Sequence, residues 1–121
     1  MGSIRDLKYT TAHSEIWAGV DAEKIGNIGR VRVHARRGCW IAIDFWLEFH
    51  PEKDWGVSAI SHLKSARDDE ELPEEIRNAA ARLTEKVNLN FSVSHNIDPL
   101  EDAEKIIEYF LDKKNLMGRR K

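Results

Sequence analysis

Arginine, histidine and tryptophan side chains are concentrated between residues 30 and 50, where they alternate with apolar residues. The members that could bind a ligand or partner are Arg30, Arg32, His34, Arg36, Trp40, Asp44 and Trp46. An arginine over a tryptophan ring gains about 0.5 to 1 kcal/mol of cation–π attraction at an exposed site, and both residue types are enriched among the residues that dominate protein interfaces. The cluster therefore predicts a surface that binds another macromolecule. The alternatives are a solvated face with paired side chains, or a face on which another segment covers the tryptophans.

A basic and aromatic surface can also bind nucleic acid, because bases stack on aromatic rings and phosphates attract arginine. Residues 29–37 contain four arginines and no acidic residue. Asp44 and Glu48 are predicted on the same face, however, and they would repel phosphate. An RNA- or DNA-binding module is therefore the alternative function, ranked behind a protein partner.

A run of four acidic residues forms the second candidate site. It consists of Asp68, Asp69, Glu70 and Glu71. Residues 68–112 carry 13 acidic and 4 basic side chains, a net charge of −9. Such a segment could dock on a basic, nucleic-acid-handling partner. The alternative is a solvated loop that leads into a helix N-terminus, where negative charge is favourable.

Patterns typical of metal sites and catalysis are missing from the sequence. Its histidines are His13, His34, His50, His62 and His95, with no His-x-x-x-His or Glu-x-x-His pair among them. The single cysteine, Cys39, excludes an internal disulfide, and Arg36 and Arg37 predict a modestly lowered thiol pKa. No base is assured beside it. We therefore predict no metal, no cofactor and no catalytic residue, and rank a small enzyme built around His34 and Asp44 third.

The element expected to position the Arg/Trp cluster is an antiparallel β-hairpin between Gly29 and His50. Apolar residues fall on odd numbers, at Val31, Val33, Ala35, Ile41, Ile43, Phe45, Leu47 and Phe49. Period-two alternation around a glycine predicts two strands joined by a turn at Gly38. One register places Arg32 opposite Asp44 and the neighbouring register places His34 there, and the sequence favours neither.

Two weaker elements flank this hairpin. Residues 9–20 carry apolar residues at even positions and predict another strand. Residues 57–66 fit either a fourth strand or a first helical turn.

The C-terminal half has helical periodicity. Apolar residues from Leu72 to Val87 recur at spacings of three and four, with Pro73 at the first turn. Asp98 and Pro99 form an N-cap and first helical residue for a second helix, and Lys113 and Lys114 suit the dipole at its C-terminus. Its predicted buried stripe is Leu100, Ala103, Ile106, Ile107, Phe110 and Leu111. Residues 91–95 fit a short strand or an extended connector.

Together these elements predict an α+β fold: a three- or four-stranded antiparallel β-meander with two C-terminal α-helices packed on one face. With 121 residues and 14.0 kDa, the chain suits one domain covering residues 1–121. Residues 1–8 and 115–121 are expected to be flexible ends, and residues 118–121 a frayed tail.

Composition narrows the function. The net charge is only −2, so no overall positive field attracts nucleic acid. No apolar stretch is long enough for a membrane helix, the N-terminus lacks the apolar segment of a signal peptide, and a single free cysteine suits the cytoplasm. The sequence predicts a non-catalytic, cytoplasmic binding protein: an inhibitor, immunity-type, anti-defence or adaptor protein with a protein partner. A homodimer through an edge strand or the tryptophan surface is the remaining partner hypothesis.

Overall fold

The computed structural model describes residues 3–85 and 98–117, and these residues form α-helices without a β-strand. The helices are α1 (Ile4–Lys24), α2 (Ile28–Glu48), α3 (Ala59–Asp68), α4 (Glu74–Thr84), α5 (Pro99–Leu111) and α6 (Lys113–Leu116). The predicted α+β fold with an antiparallel meander is therefore wrong. Both strands of the predicted hairpin lie within α2, and the weaker strand at residues 9–20 lies within α1.

α1 and α2 form an antiparallel helical hairpin. Ser3 begins α1 with a capping box, in which its hydroxyl accepts from the Asp6 amide and the Asp6 carboxylate accepts from the Ser3 amide. Gly26, at φ 74°, provides the left-handed residue that turns the chain. Asn27 then caps α2 by accepting from the Arg30 amide at 3.1 Å.

The period-two pattern was misleading because α2 also carries a helical stripe, in which four of the nine buried residues are small. Its buried positions are Val31, His34, Ala35, Gly38, Cys39, Ala42, Ile43, Phe45 and Trp46. Val33, which alternation assigned to the core, is 43% exposed. Gly38 is not a turn: a Cβ there would lie 3.1 Å from Ile107 Cδ1 and 3.2 Å from the Ala12 carbonyl oxygen. Glycine at this position allows α1, α2 and α5 to approach closely.

The two C-terminal helices predicted from periodicity and capping are confirmed as α4 and α5. Asp98 caps α5 by accepting from the Leu100 amide at 2.9 Å, and Pro99 is the first helical residue. All six residues of the predicted α5 stripe are buried. The ambiguous segment 57–66 is helical from Ala59 onward. The predictions for Val87, for residues 91–95 and for the tail 118–121 lie outside the described residues.

α2 is the central helix and packs against α1, α3, α4 and α5. One end of the core is aromatic. There the Trp46 ring lies 5.0 Å from Phe110 and 5.1 Å from Trp55 between centroids, and Trp46 Nε1 donates to the Asn115 carbonyl at 3.1 Å. Within the described ranges, none of the helices is both long and apolar enough to cross a membrane.

Candidate docking surface on helix α2

Two of the predicted binding arginines instead cap a neighbouring helix. Arg32 Nη2 donates to the carbonyls of Arg82 at 3.1 Å and Glu85 at 2.7 Å, and Arg36 Nε donates to the Leu83 carbonyl at 2.9 Å. These carbonyls end α4, where the helix dipole favours cations. Burial, followed by the charge of Arg32, lowers the pKa of Arg36. Arg32 and Arg36 therefore stabilise the α2–α4 contact.

Three further residues of the predicted face also lie in intramolecular contacts. His34 is buried, with Nδ1 2.8 Å from Glu15 Oε1 on α1. Asp44 Oδ1 lies 3.4 Å from Nε2 of the buried His62. Trp46 belongs to the aromatic core described above. The structure does not bring the seven predicted residues together on one face, because a helix distributes them around its circumference.

The acidic segment is largely balanced by the chain's own cations. Arg67 binds both carboxylate oxygens of Asp68, at 2.8 and 3.0 Å. Lys53 Nζ lies 2.8 Å from Asp69 Oδ2 and 2.7 Å from Glu71 Oε1. Burial lowers the pKa of Lys53, but hydrogen bonds to the two carboxylates outweigh that effect and the net shift is upward. Only Glu70 of this segment is exposed without such a partner in the described part of the chain.

Between residues 30 and 43, the exposed residues of α2 form a row of four: Arg30, Val33, Arg37 and Trp40, named here the α2 seam. Their spacing of three, four and three places them on one stripe of the helix. Val33 is 43% and Trp40 36% exposed. Neither guanidinium has a hydrogen-bond or ion-pair partner among the residues that the structure describes. The α2 seam therefore alternates uncompensated cations with exposed apolar side chains.

Contacts with Val57 and His62 fix the orientation of the Trp40 indole. Its Nε1 donates to the Val57 carbonyl at 2.8 Å, and its ring lies parallel to His62, with 6.3 Å between centroids and 4° between planes. The Val57 side chain is almost fully exposed beside it. A large ring fixed in one orientation loses little conformational entropy when a partner covers it.

Another exposed tryptophan, Trp17 on α1, offers a competing surface. It is 73% exposed, and Val20 one turn away is 37% exposed. Asp21, also exposed, carries the opposite charge from the seam arginines. Trp17 is more exposed than Trp40, but no arginine lies between Trp17 and Val20, so this surface lacks the alternation of cations and apolar residues found on α2.

Cys39, the neighbour of Trp40 in the chain, is fully buried. Burial raises the pKa of its thiol, and the nearby charge of Asp102 adds to the shift. The predicted lowering by Arg36 and Arg37 is therefore wrong in direction, because burial of the thiol determines the shift. Across residues 3–85 and 98–117, no three His, Cys, Asp or Glu side chains are grouped so that they could hold a metal ion.

Sequence reasoning missed Val33 and Arg37 as surface residues. It assigned Val33 to the core by alternation and Arg37 to the turn. A signal for a helical row was present in the sequence, because residues 30, 33, 37, 40 and 44 keep a spacing of three and four throughout.

Compared with known proteins, the chain matches no family model, no curated protein and no solved structure.

Proposed function

We propose that this chain is a non-catalytic binding protein that docks another protein on the α2 seam. The observation that supports this most directly is the pair of uncompensated arginines, Arg30 and Arg37, interleaved with the exposed Val33 and Trp40. A small cytoplasmic inhibitor, immunity-type, anti-defence or adaptor protein would use such a surface. Arginine and tryptophan supply much of the affinity at protein interfaces.

Rigidity of the α2 seam supports the same proposal. α2 is held by four other helices, so the seam requires little reordering when a partner arrives. A preorganised surface converts more of its contact energy into affinity. The fixed orientation of Trp40 contributes in the same way.

Nucleic acid is a weaker candidate for this surface. Arg32 and Arg36 are engaged with the carbonyls of α4, which leaves two of the four neighbouring arginines free. Asp44 continues the row at its C-terminal end and would repel phosphate. Exposed valine adds nothing to phosphate binding, whereas it suits an apolar side chain of a protein.

Site-specific photo-crosslinking in the native host tests the proposal. A photoreactive amino acid is placed at Val33 in one variant and at Trp17 in another, and crosslinked proteins are identified by mass spectrometry. We expect a discrete protein partner from position 33. The purified partner should then bind Val33→Asp at least about tenfold more weakly, a loss of about 1.4 kcal/mol.

Leu7→Asp is the matched control, because Leu7 is exposed on α1 and outside the seam. This variant should bind like the wild type, and thermal melts should show all variants folded. Crosslinks from position 17 alone, or unchanged affinity of Val33→Asp, would overturn the proposal.

A further inference from the structure

Building on the proposed function, we infer that the partner presents an acidic amphipathic helix to the α2 seam. The spacing of the seam is that of a heptad repeat. Arg30 and Arg37 are seven residues apart, as are Val33 and Trp40, which corresponds to about 10.5 Å along the axis at 1.5 Å per residue. A second helix laid along α2 can contact all four residues at once.

The positive charges of Arg30 and Arg37 favour an acidic partner. α2 has no acidic residue before Asp44, and Arg30 and Arg37 have no counter-charge within the described chain. A complementary helix therefore carries carboxylates seven residues apart opposite the two arginines. The residues between these carboxylates, on the same face of the partner helix, are apolar and contact Val33 and Trp40.

A second copy of this chain fits the seam poorly. In a parallel pairing Arg30 faces Arg30 and Arg37 faces Arg37. In an antiparallel pairing about a two-fold axis between residues 33 and 37, Arg30 faces Trp40 and Arg37 faces Val33. The parallel pairing opposes like charges, which weakens association. The antiparallel pairing sets the arginines against uncharged side chains, so neither register supplies Arg30 and Arg37 with a carboxylate.

Two synthetic helical peptides test the inference by fluorescence anisotropy. Both peptides carry leucine at the positions that would face Val33 and Trp40. At the positions that would face Arg30 and Arg37, one peptide has glutamate and the other has lysine. We expect wild-type protein to bind the glutamate peptide at least about tenfold more tightly. A variant with Arg30→Glu and Arg37→Glu should prefer the lysine peptide.

The matched control carries Lys64→Glu and Lys114→Glu, which change the net charge equally at exposed positions on α3 and α6. It should keep the wild-type preference. Equal binding of both peptides, or a preference that the control alters as much as the seam variant, would overturn the inference. A labelled single-stranded RNA bound more tightly than either peptide, and released by the seam variant, would assign the surface to nucleic acid instead.

Two further outcomes separate this inference from the proposed function. A crosslinked partner that depends on Val33 but offers no acidic helix overturns the inference and leaves the proposed function standing. Sedimentation that shows a wild-type dimer dissociated by Val33→Asp would identify a second copy as the occupant and overturn the acidic helix.

Discussion

Arg82 binds both carboxylate oxygens of Asp102, with Nε 2.9 Å from Oδ2 and Nη2 2.9 Å from Oδ1. The pair joins α4 to α5. The Asp102 side chain is 1% exposed, whereas that of Arg82 is 20% exposed. The hydrogen bonds that Arg82 donates to Asp102 raise the pKa of Arg82. The two ends of this ion pair therefore differ in how easily each could be rehydrated.

That difference predicts unequal costs for removing each partner. Arg82→Ala leaves a buried carboxylate without its cation, which should lower the free energy of unfolding by about 3 to 5 kcal/mol. Asp102→Ala leaves a guanidinium that can reach water and should cost less, about 1 to 3 kcal/mol. Urea unfolding of both single variants and the double variant measures the asymmetry and the coupling. A larger loss for Asp102→Ala would contradict the burial argument.

Substitution by alanine should have opposite effects on stability at the two α2 glycines, Gly38 and Gly29. Alanine at either position should gain up to about 1 kcal/mol from helix propensity. At Gly38 the added Cβ would meet the Ala12 carbonyl and Ile107, and overpacking of about 1 to 3 kcal/mol outweighs the gain. We expect Gly38→Ala to lower the free energy of unfolding by about 1 kcal/mol.

Gly29 is the control because a Cβ there would be no closer than 3.9 Å to another group. Gly29→Ala should raise the urea midpoint slightly. An equal gain at both positions would show that the three helices can separate at no cost, contrary to the close approach at Gly38.

Gly38 also illustrates what the sequence could and could not predict. The C-terminal helices were predictable because large apolar residues and strong capping residues, such as Asp98 with Pro99, mark them locally. In α2 the middle of the buried stripe consists of glycine, alanine and cysteine, so the helical pattern was weaker than the coincidental alternation of Val31, Val33 and Ala35. The contacts of Arg32 and Arg36 depend on backbone carbonyls about fifty residues away, which no local pattern encodes. Of the seven residues in the predicted cluster, Arg30 and Trp40 are exposed in the structure.

Truncation to alanine should affect the stability of the protein strongly at Trp46 and very little at Trp17. Trp46 is buried against Phe110 and Trp55, and Trp46→Ala should lower the free energy of unfolding by about 3 to 5 kcal/mol. Trp17 is exposed, and Trp17→Ala should change it by less than about 0.5 kcal/mol. Urea titrations followed by circular dichroism compare the two variants. Similar stabilities would mean that Trp46 is not a core residue.

Cys39 predicts a loss of stability at alkaline pH. Burial raises the pKa of its thiol in the folded protein above the value of about 8.5 expected for an unfolded chain. The raised pKa therefore contributes fully to the free energy of unfolding below pH 8.5. That contribution falls as the pH rises further, because the Cys39 thiol ionises first in the unfolded chain. The slope approaches about 1.4 kcal/mol per pH unit for one proton. Cys39→Ala should flatten the dependence of the unfolding free energy between pH 8.5 and 10.

Thiol chemistry checks the same burial independently. In wild-type protein at pH 8, Ellman's reagent should modify Cys39 only after urea unfolds the chain, because the reactive thiolate is suppressed inside the core. Tyr9, whose pKa is raised by its hydrogen bond to Glu108, could add a second alkaline slope, so Tyr9→Phe serves as the control. That variant should keep the wild-type slope up to pH 10. Rapid labelling of the native protein would contradict the burial of Cys39. A slope that persists in Cys39→Ala and disappears in Tyr9→Phe would assign the alkaline loss to Tyr9 instead.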